Sequence, residues 1–346
     1  MFPNMFPPPP SAQVDWDSHN STRHVEVDGH IEARYDTSRG QWAEPRLVSS
    51  GNTAATAGQH CSETMVALRH VTPWGDKLVV FRPDFHAARM AQSAAASTGL
   101  PPPPLGLFTE CVRRAVAANA EFVPPAESEG MLSIRAVLAG ASAEDAVLSV
   151  HLQPAVHSFD AAPQDALLSE SDGVVRLQLC EAAAAAAAPY SDDRPAHELL
   201  GLRPDNTLVM AESAAAHPVA SALARLAERG GFRVERCPAA ELALALPLLA
   251  EAVAVGDDSV VPVRRVDGAA LPDADATGLM GVAQHLLGVV RGVRGDSEGW
   301  CAEVRPTDGE VAALVEKEEE RLAAPAGPLL GGLWAPGPGP CVAREC

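Results

Sequence analysis

The sequence predicts an α/β chain of two domains, with α+β character in how its strands and helices are grouped. Three observations carry that expectation. At 346 residues the chain exceeds the ~250–300 at which a single core stops growing. Short β-branched runs and segments of helical period follow one another in two successive series. Between the series, residues 152–172 contain Pro154, Pro163 and many small polar residues, and read as a connector. The expected organisation is a Pro-rich disordered start (1–14), a small first domain (15–151), the connector (152–172), a larger second domain (173–325) and a Gly/Pro-rich tail (326–346).

In order, "VEVDGHIEARYDTSRGQW" (25–42) reads as two strands joined by turn residues. "MVALRH" (65–70) and "KLVVF" (77–81) are strands around a turn at Pro73–Asp76. Asp84 is a candidate N-cap for a helix running to about Ser97. The rigid run Pro101–Pro104 precedes a second helix over about 109–121, which stops before Pro124-Pro125. "LSIRAVLAG" (132–140) is the next strand. Past the connector come strands "VVRLQLCE" (174–181) and "NTLVMAES" (206–213), with a low-complexity alanine run (182–188) between them. A helix over 219–229 closes at Gly230-Gly231, and strand "FRVERCP" follows. Next are a Leu/Ala helix broken at Pro247, strand "SVVPVRRV", a helix over 278–290 and the helix "GEVAALVEKEEERLAA".

Composition narrows the function. A net charge of −19 and a pI near 4.9 repel phosphate backbones, which argues against nucleic acid as a partner. No run approaches the ~18 apolar residues of a membrane helix. Met1–Pro10 has no basic residue and no apolar core of signal type, so a cytoplasmic protein is expected, with a mitochondrial one as the alternative. Seven scattered cysteines without a Cys-x-x-Cys read as reduced thiols rather than a zinc site. Of 26 basic side chains only Lys77 and Lys317 are lysines, which leaves two candidates for any amine chemistry.

Taken in order, several blocks resemble the branched-chain amino-acid aminotransferases, especially fungal-type members. These are "DGHIEARYDTSRGQW", "AGQHCSETMVALRH" (57–70), "LVVFRPDFHAARMAQSA" (78–94), "FTECVRRAVAANAEFVPP" (108–125) and "LSIRAVLAG", then "TLVMAES", "GGFRVERCP", "EAVAVGDDSVVPVRRV" and "GWCAEV" (299–304). The resemblance spans roughly residues 15–310. It implies pyridoxal-phosphate fold type IV: a small α/β domain, a larger barrel-like one, the cofactor between them, and a homodimer. The implied reaction moves an amino group between leucine, isoleucine or valine and 2-oxoglutarate.

By the same resemblance, Arg89 falls at the phosphate-binding arginine, where a guanidinium forms paired charge-assisted hydrogen bonds. Arg135 falls at the arginine associated with the substrate carboxylate. A solvated surface arginine is the alternative at both positions. Glu63 keeps its family position in a structural role, and Asp193 stands where a glutamate pairs with the pyridinium nitrogen.

One part of the pattern is missing. After a strand ending "AAP" the family has a few dozen residues carrying the Schiff-base lysine and a Gly-Gly-Asn-Tyr-Ala-Pro block. This chain passes from "EAAAAAAAP" (181–189) straight to "YSDDRPAHELLGLRPDNTLVM". That lysine both links the cofactor and shuttles the proton at Cα. Five other positions depart from the family in the same region. Val219 and Asp257 replace two phosphate-side threonines, and Ala57, Ser62 and Thr64 replace the tyrosine, aromatic and glycine of the first block. A carboxylate ~4 Å from a phosphate charge costs about 1 kcal/mol in water and about 4 at an effective dielectric of 20; a lost hydrogen bond adds about 1. The larger domain is therefore expected to be incomplete and pyridoxal phosphate poorly held. Three readings follow: an impaired or inactive aminotransferase, a catalytically dead relative that binds or dimerises, or the product of an incomplete gene model.

Overall fold

In the computed structural model, residues 6–16, 25, 27–49, 59–128, 130–156, 164–171, 174–180, 197–256, 259–271 and 278–323 are described. The amino-terminal part builds strands β1 (Gly29–Asp36), β2 (Gln41–Trp42), β3 (Arg46–Ser49), β4 (Gln59–Thr72) and β5 (Gly75–Phe81). Helices α1 (Pro83–Ser93) and α2 (Leu105–Ala118) follow, then β6 (Gly130–Gly140) and β7 (Val147–Val156). The next part supplies β8 (Gln164–Ser171), β9 (Val174–Cys180), β10 (Glu198–Leu202), β11 (Thr207–Ala211), α3 (Pro218–Arg229), β12 (Arg233–Cys237), α4 (Ala239–Ala245), β13 (Glu251–Val255), β14 (Val260–Val266), β15 (Ala269–Ala270) and α5 (Leu279–Val290). The described chain ends with β16 (Cys301–Glu303) and α6 (Asp308–Ala323).

These strands form two eight-stranded sheets, and the predicted α/β class is what the structure shows. The first sheet is antiparallel throughout, in the order β16-β5-β4-β6-β7-β1-β2, with β3 also on β1. The second runs β12-β11-β10-β13-β14-β8-β9, with β15 on β14 and parallel pairs at β11/β12 and β14/β8. Residues of β9 return to within 8 Å of β10, Cα to Cα, so this sheet curls toward itself. Within the expected connector, residues 152–156 continue β7 and 164–171 form β8. Residues 301–303, assigned by sequence to the second domain, pair with β5 of the first sheet.

Alternation along β4 explains how the two sheets meet. Met65 and Ala67 join Leu78, Val80, Leu132 and Ile134 under α1 and α2, where Met90, Phe108 and Val112 close the layer. Val66 and Leu68 point the other way. With Val79, Phe81 and Met131 they enter the core of the second sheet, alongside Leu200, Val209, Leu223 and Leu286. A strand buried on both faces carries nearly unbroken hydrophobicity, as "MVAL" does.

The Pro-rich start departs from expectation where it is described. Ser11 and Val14 are buried, the Ser11 amide donates to the Glu121 carbonyl at 2.7 Å, and buried Arg69 donates to the Pro8 carbonyl at 2.9 Å. Residues 6–14 are thus packed rather than disordered: buried cationic and backbone groups need partners, and this segment supplies them. Among the described residues no helix is long and apolar enough to cross a membrane.

Candidate functional site

The two arginines singled out by sequence lie on opposite faces of the first sheet. Glu63 projects from β4 on the helix-covered side and is almost fully buried. Its carboxylate accepts from Arg89 Nε at 2.9 Å and lies 3.0 Å from His86 Nδ1, both one turn apart on α1. Position 86 precedes 89 by three residues, so both side chains meet one point on the strand. This arrangement gives Glu63 the expected structural role and compensates much of the Arg89 charge internally.

Arg135 projects from β6 on the other face. Ladder register sets it directly opposite Thr64 on β4 and His151 on β7. Directly opposed residues share a face, so Thr64, Arg135 and His151 form one row. The rows beside it are Ser62, Val137, Ser149 and Val66, Ser133, Gln153. From β1, His30 stacks on His151 with ring centroids 4.5 Å apart. Buried Glu32 accepts from Arg34 at 3.0 Å and lies 3.4 Å from His30 and 3.8 Å from Arg46. Burial opposes its ionisation, yet hydrogen bonds from His30 and Arg34 hold its carboxyl below the ordinary range. For His151 burial dominates and lowers the imidazole; His30 and Arg135 add to this, while Glu32 opposes it.

Sequence reading missed His30, Glu32 and His151. Each is a single polar residue on a strand, and only the register across β1, β7 and β6 brings them together. The one available signal was alternation, which in "VLSVHLQ" sets Ser149, His151 and Gln153 on one face.

Lys77 pairs with His70 near the tip of the β4–β5 hairpin. Thr64, opposite Arg135, is six residues farther along β4, a run of about 20 Å at ~3.4 Å per residue. Lys317, on α6, is held by Asp28 and by Glu121 at 2.7 Å. Burial works against its ammonium, but the two carboxylates outweigh it and raise its pKa, so it stays protonated.

The starts of α3 and α5, in the second sheet's layer, are filled by the protein itself. Val219 is buried in the core. At the start of α3, Pro218 has no N–H, the Ala220 amide donates to His217 Nδ1 at 3.3 Å, and the Ser221 amide donates to the His217 carbonyl at 2.9 Å. Arg82 reaches across from the first sheet and donates to the Pro218 carbonyl at 2.6 Å and to Ser221 Oγ at 2.7 Å. At the start of α5, buried Glu251 accepts the Leu279 and Met280 amides at 2.8 and 2.9 Å. Asp193, Asp257 and Ala57 lie outside the described residues.

A phosphate-bearing aldehyde cofactor needs an amine in reach and free donors for its phosphate. Among the described residues neither condition is met: Lys77 is remote from Arg135's row, Lys317 is held by Asp28 and Glu121, Arg89 is paired with Glu63, and the α3 and α5 starts are occupied. These residues do not fit pyridoxal phosphate.

No family profile matches the chain. It is 36% identical to the aminotransferase poxL of Penicillium oxalicum over 184 residues, 49% of this chain and 49% of that protein. It is 40% identical to the transaminase htyB of Aspergillus rugulosus over 150 residues, 41% of this chain and 38% of that one. With the branched-chain amino acid aminotransferase gloG of Glarea lozoyensis it shares 39% over 137 residues, 38% and 37% of the two chains. The chain thus matches about half the length, or less, of these curated relatives. Among solved structures, a branched-chain amino acid aminotransferase of Thermobaculum terrenum in its PLP form superposes with a TM-score of 0.59 at 14% identity, over 82% of this chain and all of that one. The Escherichia coli branched-chain amino acid aminotransferase gives 0.56 at 15%, over 81% and all. At such identities the likeness is one of fold.

Proposed function

We propose, of a chain with the type IV fold of the branched-chain aminotransferases and sequence kin among fungal aminotransferases, that it descends from an enzyme moving amino groups between branched-chain amino acids and 2-oxoglutarate. As built, it does not form the Schiff base on which that reaction depends. The observation that carries this is the placement of its two amines: Lys77 at a hairpin tip about 20 Å along the strand from Arg135's row, and Lys317 locked between two carboxylates. By resemblance, the homodimer of the family is retained, and the substrate class is a small amino or 2-oxo acid.

The test is direct. Purified protein mixed with pyridoxal phosphate shows no imine absorbance near the visible edge, and borohydride reduction leaves no phosphopyridoxyl adduct by mass spectrometry. A trapped adduct on Lys77 or Lys317 overturns the reading. The second reading, a working enzyme whose lysine segment is lost from this sequence, is favoured by the 36–40% identity to aminotransferases. Transcript sequencing across Ala182–Tyr190 decides it, because a lost segment would reappear there.

A further inference from the structure

We propose that the cavity between α3, α5 and the 291–300 loop binds a small carboxylic acid, its ionised head at the opening and its short hydrocarbon tail inside. The cavity encloses about 330 Å³, and its apolar walls are Leu226 on α3, Val289 on α5 and Trp300 on the loop. That is the lower end of the range for ligand pockets and suits a chain of a few carbons. Trp300 is itself fixed: Phe81 meets its ring edge-on with centroids 6.3 Å apart, and the Arg82 guanidinium lies 5.6 Å from it. Pro218 and Arg229 mark opposite ends of α3, whose 12 residues span about 18 Å. The cavity is therefore one helix length away from Val219.

Charge selects the head group. Arg294 lies across α5: a Cβ on Gly288 would stand 2.9 Å from its Cδ and 3.2 Å from its Nε. His285, three residues before Gly288, shares that face of the helix and lines the cavity. Among the described residues Arg294 makes no side-chain hydrogen bond or ion pair. The two carboxylates at the opening are already engaged. Glu298 accepts from Arg229 and, at 3.4 Å, from Arg225, while Arg229 also donates to Ser297 Oγ at 2.7 Å. Asp296 accepts the Cys301 amide at 2.7 Å and the Glu298 amide at 3.2 Å. Helix ends of this polarity disfavour an anion, but their carbonyls are capped: the Gly230 amide donates to the Leu226 carbonyl at 2.9 Å, and the Arg294 amide to the Gly288 carbonyl at 2.8 Å. Arg225, Arg229 and Arg294 thus face two carboxylates, an excess of positive charge in a chain with 26 basic and 45 acidic side chains.

His285 links occupancy to protons. Around it stand Arg229 from α3 and Arg294, Asp296 and Glu298 from the loop. Burial first, then Arg294 and Arg229, lower its imidazole below the ordinary value, so the empty site holds it neutral. A carboxylate arriving beside Arg294 offsets both arginines and favours the imidazolium. Binding therefore takes up a proton, and affinity rises as pH falls through the raised value of the occupied site.

Titration calorimetry on the full chain without pyridoxal phosphate uses hexanoate at pH 8 and pH 6, with acetate, hexan-1-ol and inorganic phosphate as further arms. Hexanoate is expected to bind, tighter at pH 6 by a factor on the order of three to ten. Shortening it toward acetate loses about fourfold per methylene. Hexan-1-ol lacks the head and phosphate the tail, and each binds about tenfold more weakly or worse. Arg294→Gln weakens hexanoate about tenfold, and Leu226→Trp, which fills the cavity, abolishes binding. His285→Gln retains the pH 8 affinity and loses the gain at pH 6. Arg39→Gln, an exposed arginine paired with Asp36, changes neither. Should Arg294→Gln fail to fold, Arg294→Lys serves, with partial loss expected because it keeps the charge but not the fork. No binding to the parent chain, hexan-1-ol or phosphate binding as tightly as hexanoate, unchanged affinity in the Arg294 variant, or a pH gain that survives His285→Gln overturns the proposal. An adduct on Lys77 or Lys317 would sink the cofactor reading and leave this one standing, so the two fail separately.

Discussion

At the scale of single residues, buried charge decides most of what happens. Glu63 is the acceptor shared by Arg89 and His86 beneath α1. Removing one member of a buried pair costs more than the pair contributes, because the other charge stays behind. Glu63→Ala is expected to lower unfolding free energy by about 3 kcal/mol, read from urea midpoints at constant m-value. A loss below about 0.5 kcal/mol, the level of an ordinary surface change, would show that the pair carries no structural load. At this scale the sequence exposed only part of the site. Motif spacing located Arg89, Arg135 and Glu63, because each lies within a continuous block. His30, Glu32 and His151 escaped, because their proximity depends on strands more than 100 residues apart pairing through β7.

Among elements, the start of α5 is completed by a distant side chain. Glu251 accepts two amides of α5, and the close approach requires glycine before the helix: a Cβ on Gly278 would stand 2.1 Å from Glu251 Oε2. Gly278→Ala is therefore expected to destabilise by about 1–3 kcal/mol, the cost of overpacking a tight site. Glu251→Gln, which keeps one acceptor, should cost less. The reverse order in thermal melts would place the main cost outside this clash. Most elements were legible for local reasons. "KLVVF" and the 219–229 helix carry clean periods, and the helix predicted from about 109 starts at Leu105 because Pro104, held extended, is its N-cap. Strands β10 and β13 are short, and Gly201 disguises the first. Leu249 comes within 2.4 Å of where a Cβ on Gly201 would lie, so its glycine reflects packing rather than a turn. Pro154 argued against a strand, yet β7 continues through it opposite Leu132.

For the whole molecule, the sheets are joined by more than chain connection. Phe81 and Val66 lie in the second sheet's core, and Arg82 spans to α3 with Phe85 and Trp300 against its guanidinium. Strand β16 then returns to β5, pairing Ala302 with Val80. A chain ending at Trp300 should lose the cover on β5 and aggregate more readily than the parent, since an unpaired strand is a template for other chains. Light scattering at equal concentration checks this, and identical curves would show that β16 protects nothing. The same return sets an order of events during synthesis. From Val156 to Cys301 is 145 residues (301 − 156), which a ribosome at ~5–20 residues per second covers in roughly 7 to 29 s. For that interval the sheet translated first has emerged except for its last strand. Nascent chains must be shielded along β5, and slowing translation between the two points should raise the fraction captured by chaperones.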